Sequence, residues 1–233
     1  MRLLTGTSGF SYKEWKGSFY PEDLPASGML AYYAARFPAV EINNTFYRMP
    51  SETQLRQWAE QVPDGFRFVL KTSQRITHRK RLNEVGEEWG YFTRTAAVLG
   101  DRLGPLLVQL PPNLKCDIAR LDAFLSIVPP EQQVALEFRH PSWLDDRVYD
   151  LLRRYRAALC IAHGELDETP PVLESAAWGY ARLRNVEYSR EQLREWAERL
   201  AAPGWEEVYV FFKHEEAGTG PRLAAQFREL FPA

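Results

Sequence analysis

Cysteine is scarce in this chain, and what little there is stands alone. Cys116 and Cys160 lie in unrelated contexts, 44 positions apart, which matches neither a disulfide framework nor a metal-ligand spacing. A reducing compartment is the simplest expectation. No stretch approaches 18 apolar residues, and the opening MRLLTGTSGF holds too short an apolar run for a signal peptide, so a cytoplasmic protein without a membrane partner is expected. Charge of one sign is lacking too: the formal net charge is −2, so any attraction to nucleic acid or another polyanion has to come from a local patch. Only four histidines occur, and no pair has H-x3-H spacing. His140, His163, His214 and Glu137 reach a common metal only by convergence of separate loops, so neither a metal nor a cofactor is expected. No low-complexity or linker-like stretch divides residues 1–233, which are read as a single domain.

What is present is ordinary for a globular chain with a sizeable core: 45% hydrophobic and 26% charged residues. Eight short apolar runs recur along it, at Leu3–Thr7, Ala39–Asn43, Phe66–Lys71, Leu106–Leu110, Val134–Phe138, Leu159–His163, Tyr180–Leu183 and Val208–Phe212. Between most of them lie helical patterns with clear starts. Ser51 and Gln54 have capping-box spacing before the face Leu55, Trp58, Ala59, Val62; Ser189 and Gln192 repeat it before Leu193, Trp196, Ala197, Leu200. The two helices read alike, but their flanks share little, so they are taken as independent amphipathic helices. The Pro-rich stretch 164–177 is hardly helical. Strand and helix alternating at about 29 residues per unit predict a parallel sheet with helical crossovers. Eight units favour an α/β fold of the (β/α)8 TIM-barrel type, and no G-x-G-x-x-G follows the first run to argue for a Rossmann sheet.

Alternation within the runs then locates a candidate site. With Val40 and Ile42 turned to the helices, Glu41 and Asn43 point into the barrel near a strand's C-terminal end, where barrel enzymes place their chemistry. Leu136 and Phe138 do the same for Glu137 and Arg139. Lys71, Gln109, Arg182, Arg184 and Lys213 also end strands, and strand starts show no comparable polar set. Glu137 and Glu41 are the candidate acid/base pair, their pKa values open to being raised in a dry pocket. Arg139, Lys71 and Arg182 are the candidate anion ligands, with Asn43 and Gln109 to orient the ligand. A purely structural charge network plugging the barrel is the competing reading.

Three further features carry weaker signals. From Lys71 to Arg81 run five bases, with His78 and no acid, suited to phosphate or carboxylate ligands or simply to water. Together with the aromatic first loop (Tyr12, Trp15, Phe19, Tyr20) this cluster supports an alternative function, binding single-stranded nucleic acid. Gly218, Thr219 and Gly220 open the last helix with Pro221 and offer free N–H groups to an anion, or form a plain helix-starting turn.

The segments GTSGFSYKEWKGSFYP, VEINNTFYRMPS, THRKRL, LVQLPP and EFRHPSW resemble the signature stretches of the YecE-like family, domain of unknown function seventy-two. The resemblance is specific from Thr5 to about Trp143 and looser beyond. It implies a TIM-barrel-like fold and no particular reaction, substrate or cofactor. It marks Gly6, Thr7, Ser8, Trp15, Glu41, Asn43, Thr45, Phe46, Tyr47, His78, Gln109, Glu137, Arg139 and Trp143 as motif positions. On that basis Thr7, Ser8, Tyr47 and His78 join the candidate ligand-binding set, as Lys213 does from its place at the end of a strand. Strand seven of the family commonly ends Arg-Leu-His-Gly, whereas here Arg182-Leu183 leads into Arg184-Asn185; after strand eight Lys213-His214 stands where the family tends to have Asn-Asn or Asn-Asp. The expectation is an acid/base enzyme of hydrolase or isomerase type, acting on a small anionic ligand.

Overall fold

The apolar runs become eight strands: β1 Arg2–Thr7, β2 Ala39–Ile42, β3 Arg67–Lys71, β4 Leu103–Gln109, β5 Val134–Glu137, β6 Ala158–His163, β7 Trp178–Leu183 and β8 Glu207–Phe212. The structure, a computed structural model, describes residues 1–165, 168–213 and 216–232. All pairings are parallel, in the order β1-β8-β7-β6-β5-β4-β3-β2. Strands β1 and β2 form the seam that closes the barrel. Among the described residues one bridge, Ser8 to Glu41, pairs the two sides, with Gly9 N–H donating to the Glu41 carbonyl at 2.7 Å.

Further down the seam a side chain replaces the ladder. The Tyr33 hydroxyl accepts from the Thr7 N–H at 2.7 Å and donates to the Ala39 carbonyl at 3.1 Å. Gly6 permits this approach, since a Cβ there would lie 2.0 Å from the Ala39 oxygen. Any larger residue would force the two strands apart.

Seven helices flank the strands among the described residues: α1 Met29–Ala34, α2 Glu52–Glu60, α3 Gly86–Ala96, α4 Ile118–Leu125, α5 Asp146–Tyr155, α6 Arg190–Ala201 and α7 Thr219–Leu230. Ser189 and Gln192 form a complete capping box on α6, while Ser51 caps α2 through the Gln54 N–H. The expected eightfold alternation is short by one helix. Among the described residues the β6–β7 connection contains none, consistent with its prolines and its lack of an apolar face. None of the helices is long and apolar enough to cross a membrane.

Two apolar layers follow from the alternation. Outward residues such as Val40, Ile42, Leu136 and Phe138 pack with the helices. The interior holds small side chains on β5 and β6 (Ala135, Ala158, Ala162) and aromatic ones on β7 and β8 (Tyr180, Tyr209, Phe211). This filling closes the lower barrel, so the ionisable groups gather in the layer at the strands' C-terminal ends.

Candidate functional site at the barrel mouth

Pairs of residues two apart on three strands deliver the site: Glu41 with Asn43, Glu137 with Arg139, and Tyr180 with Arg182. Arg182 is 2% exposed and both glutamates are fully buried. Its guanidinium donates to Glu41 Oε1 at 2.8 Å and to Glu137 Oε2 at 2.5 Å, so one cation joins carboxylates from β2 and β5. Glu41 also accepts from Ser8 Oγ at 2.7 Å, Tyr180 OH at 2.6 Å and Asn43 Nδ2 at 3.3 Å. Glu137 accepts from Arg139 Nε, and Cys160 Sγ lies 3.9 Å from its other oxygen. Arg139 further reaches Glu165 and, at 3.3 Å, Gln109; Arg184 pairs with Glu165.

These contacts correct one expectation. Burial by itself would raise both carboxyl pKa values, but the neighbouring cations and hydrogen bonds win. At Glu41 the Arg182 charge and the Tyr180 and Ser8 hydrogen bonds hold the group below the usual carboxylate range. At Glu137, Arg182, Arg139 and Arg184 bring it down to about 2. Both shifts favour the charged carboxylate, whereas a proton acceptor works best with a pKa near the operating pH.

The group that does move toward neutrality is Lys71. Burial, then the Arg182 charge, pulls its pKa to about 8, only partly offset by Glu137 and Glu41. Among the described residues no carboxylate or hydrogen-bond acceptor reaches its ammonium; its contact is the Phe46 ring, 4.3 Å to the centroid. His78 meets the same ring edge-on at 4.8 Å. Its pKa is lowered by burial and by the Lys71, Arg139 and Arg81 charges, and Nδ1 lies 2.8 Å from Thr77 Oγ1. Two buried polar atoms at the mouth lack partners, Asn43 Oδ1 and Arg182 Nε. Asn43 also lines a cavity of about 400 Å³ with Gly9, Tyr12, Asn44 and Trp58. Beyond Asn44 and Trp58 a groove of about 1110 Å³ continues past Tyr47 to Arg75 and Tyr91.

The remaining sequence candidates divide. Ser8, Gln109 and His78 belong to the mouth, as above. Thr7 is 1% exposed and spends its hydroxyl on the Gly9 carbonyl and Tyr33, so it serves the seam. Tyr47 is 72% exposed and stands on the rim, and Lys213 is exposed at the end of β8. Gly218 has φ 73°, and a Cβ there would meet Ser18 Oγ at 2.5 Å, a packing reason for the glycine at the start of α7 beside Thr219 and Gly220. His140 caps the turn at Ser142 and His163 bonds Tyr188, while His214 lies outside the described residues.

The basic loop is partly neutralised by an acid the local sequence did not show: Glu88 of α3 pairs with Arg75 and Lys80, each at 3.0 Å. In the aromatic first loop Trp15 and Tyr20 are each 1% exposed and pack with Phe19 and Tyr32, and Phe19 in turn with Tyr33. They are core, not an open stacking platform. Sequence reasoning missed Tyr180 and Glu165. Tyr180 was within reach of the same alternation that found Arg182; Glu165 sits in an irregular connection with no periodicity to read.

Comparison with known proteins agrees with this architecture. The chain is 24% identical over 213 residues to the UPF0759 protein YunF of Bacillus subtilis, covering 85% of this chain and 75% of that one. A solved DUF72 family protein from Thermotoga maritima superposes with a TM-score of 0.87 at 29% identity, covering 99% of both chains. One from Enterococcus faecalis gives 0.81 at 19% identity, covering 98% of this chain and 94% of that one. Residues 4–233 match the family model described as protein of unknown function DUF72, and the chain belongs to that family.

Proposed function

We propose that the mouth binds a small anionic ligand and carries acid/base chemistry of hydrolase or isomerase type, with Lys71 and His78 as the proton-transferring groups. The observation that supports this most is the state of Lys71. Three carboxylates at the mouth (Glu41, Glu137, Glu165) are already engaged by Arg182, Arg139 and Arg184. Lys71 is then a fourth cation, with no counter-charge of its own among the described residues, partly desolvated beside Phe46. A desolvated, uncompensated cation is costly unless an anion joins it.

In this reading Glu41 and Glu137 hold their charge throughout and fix Arg182 and Arg139 in place. An anion bound beside Lys71 favours the ammonium; as the ligand reacts or leaves, the neighbouring guanidinium groups favour release of that proton. His78, whose pKa is lowered by burial and then by its cationic neighbours, is the accepting partner. Asn43 Oδ1, the unpartnered buried acceptor, orients a donor group of the ligand.

The test is thermal. Phosphate should raise the melting temperature more than chloride at matched ionic strength, by the mass action of a ligand that binds the folded state. Because salting-out anions stabilise proteins generally, the deciding comparison is the phosphate increment in Lys71→Met and Arg139→Gln. An increment equal to wild type in both variants would remove the mouth as the anion site.

A further inference from the structure

We infer that Lys71 is an amine nucleophile that forms an imine with the carbonyl carbon of an anionic aldehyde or oxo acid. The inference rests on the anion-binding reading and adds a covalent step and a substrate class to it. The geometry that carries it is a contrast between Lys71 and its neighbours. Among the described residues every guanidinium at the mouth is tied to a carboxylate, whereas the Lys71 ammonium has the face of Phe46 as its contact. An amine held by an ion pair is locked in its protonated form; one taken out of water and surrounded by other cations is released from it. The backbone is anchored as well: Thr45 Oγ1 donates to the Lys71 carbonyl at 2.7 Å, fixing the strand end from which the side chain projects.

The step balances without an added oxidant or reductant. The neutral amine attacks the carbonyl carbon, a C–N bond forms, and a proton passes from nitrogen to the former carbonyl oxygen. Loss of that oxygen as water, taking the second amine hydrogen, leaves the C=N bond. The guanidinium groups supply the reason for an anionic substrate: Arg139 and Arg184 stand in the same cluster and act on the same charges as Lys71. His78, which packs edge-on against the same Phe46 ring and feels the Lys71 charge, carries the proton between nitrogen and oxygen. Burial and the Arg182 charge, which bring Lys71 to about 8, make the neutral amine available near neutral pH.

The chain has six lysines, which makes the test compact. The protein is incubated with glyoxylate and cyanoborohydride near pH 7.5, and the reduced adduct is mapped by peptide mass spectrometry. Lys71 should be labelled on the order of tenfold faster than Lys13, Lys115 or Lys213, which lie outside the cationic cluster that acts on Lys71. Phosphate should slow labelling at Lys71 alone, and the neutral glycolaldehyde should label it less than glyoxylate does.

Lys71→Arg keeps the cation and cannot form an imine. It should retain the phosphate increment in melting temperature while losing the mouth adduct. Labelling spread evenly over the lysines, with the phosphate increment intact, overturns the imine and leaves the anion site standing. Even labelling together with no phosphate increment overturns both.

Discussion

Arg182 and Glu137 meet at 2.5 Å in a region from which water is excluded, and the same guanidinium reaches Glu41 across the barrel. Breaking a buried ion pair costs about 3–5 kcal/mol, because the remaining charge is left without a partner. Glu137→Gln removes the charge facing both Arg182 and Arg139, and for a chain of this size each kcal/mol shifts the melting temperature by roughly 2–4 °C. The expected loss is therefore on the order of 6–20 °C. Glu41→Gln should cost a similar amount, since it also leaves Tyr180 and Ser8 with a poorer acceptor. A shift under about 3 °C in both variants, read by calorimetry, would show that the network is not a structural element.

The pH dependence follows from the same pair. Glu137 is held at about 2, and Glu41 below the usual range, in the folded protein; an unfolded glutamate titrates near 4.3. A depressed folded pKa contributes stability that is fully present above the unfolded value and lost as pH falls toward the folded one. Urea midpoints should thus be flat on this account above about pH 5 and fall steadily from about pH 4 toward 2. Glu137→Gln should flatten that acid limb; an unchanged acid slope in the variant would contradict the assignment.

The alternative of nucleic-acid binding makes its own demand. Counterion release gives affinity that falls steeply with salt, and replacing Arg79, Lys80 and Arg81 by Ala should flatten that slope. Because Glu88 already engages Arg75 and Lys80, and Trp15 and Tyr20 are core residues, no association with single strands is expected at physiological salt. Micromolar or tighter binding by fluorescence anisotropy there, abolished in the triple variant, would overturn this.

How far the sequence was legible depended on periodicity. A strand's period of two put Glu41, Glu137 and Arg182 inside the barrel, because Val40, Ile42, Leu136 and Phe138 had to face the helices. The partner of each charge was beyond that reach. Alternation cannot say that Arg182 would bridge two strands, and hence that the carboxyl pKa values would fall rather than rise. Strand β4 begins earlier than the apolar run Leu106–Leu110: it starts at Leu103 and passes through Gly104 and Pro105, with a register shift between Phe68 and Leu70 on β3. A bulge is one of the few places a sheet accepts proline. Glu165 and Glu88 act through contacts that no local pattern encodes.

The barrel seam yields the last prediction, and it depends on one oxygen atom. Tyr33 is fully buried, and its hydroxyl serves the Thr7 N–H and the Ala39 carbonyl where β1 and β2 lack a ladder. Tyr33→Phe keeps the ring and its packing against Phe37 and Phe66, so no cavity opens. What remains is two buried backbone groups without a partner, each costing about 1–3 kcal/mol. The melting temperature should drop by at least about 4 °C. Burial pushes the Tyr33 phenol far up, so it stays protonated across the working range and the deficit should not vary with pH. Amide exchange should quicken at Thr7 and Gly9, on either side of the lost contact, and stay slow on β5 and β6. Gly6→Ala, which drives a methyl into the Ala39 carbonyl, should do more damage than Tyr33→Phe. Wild-type stability in Tyr33→Phe, with Thr7 exchange unchanged, would mean the seam is held by something other than this hydroxyl.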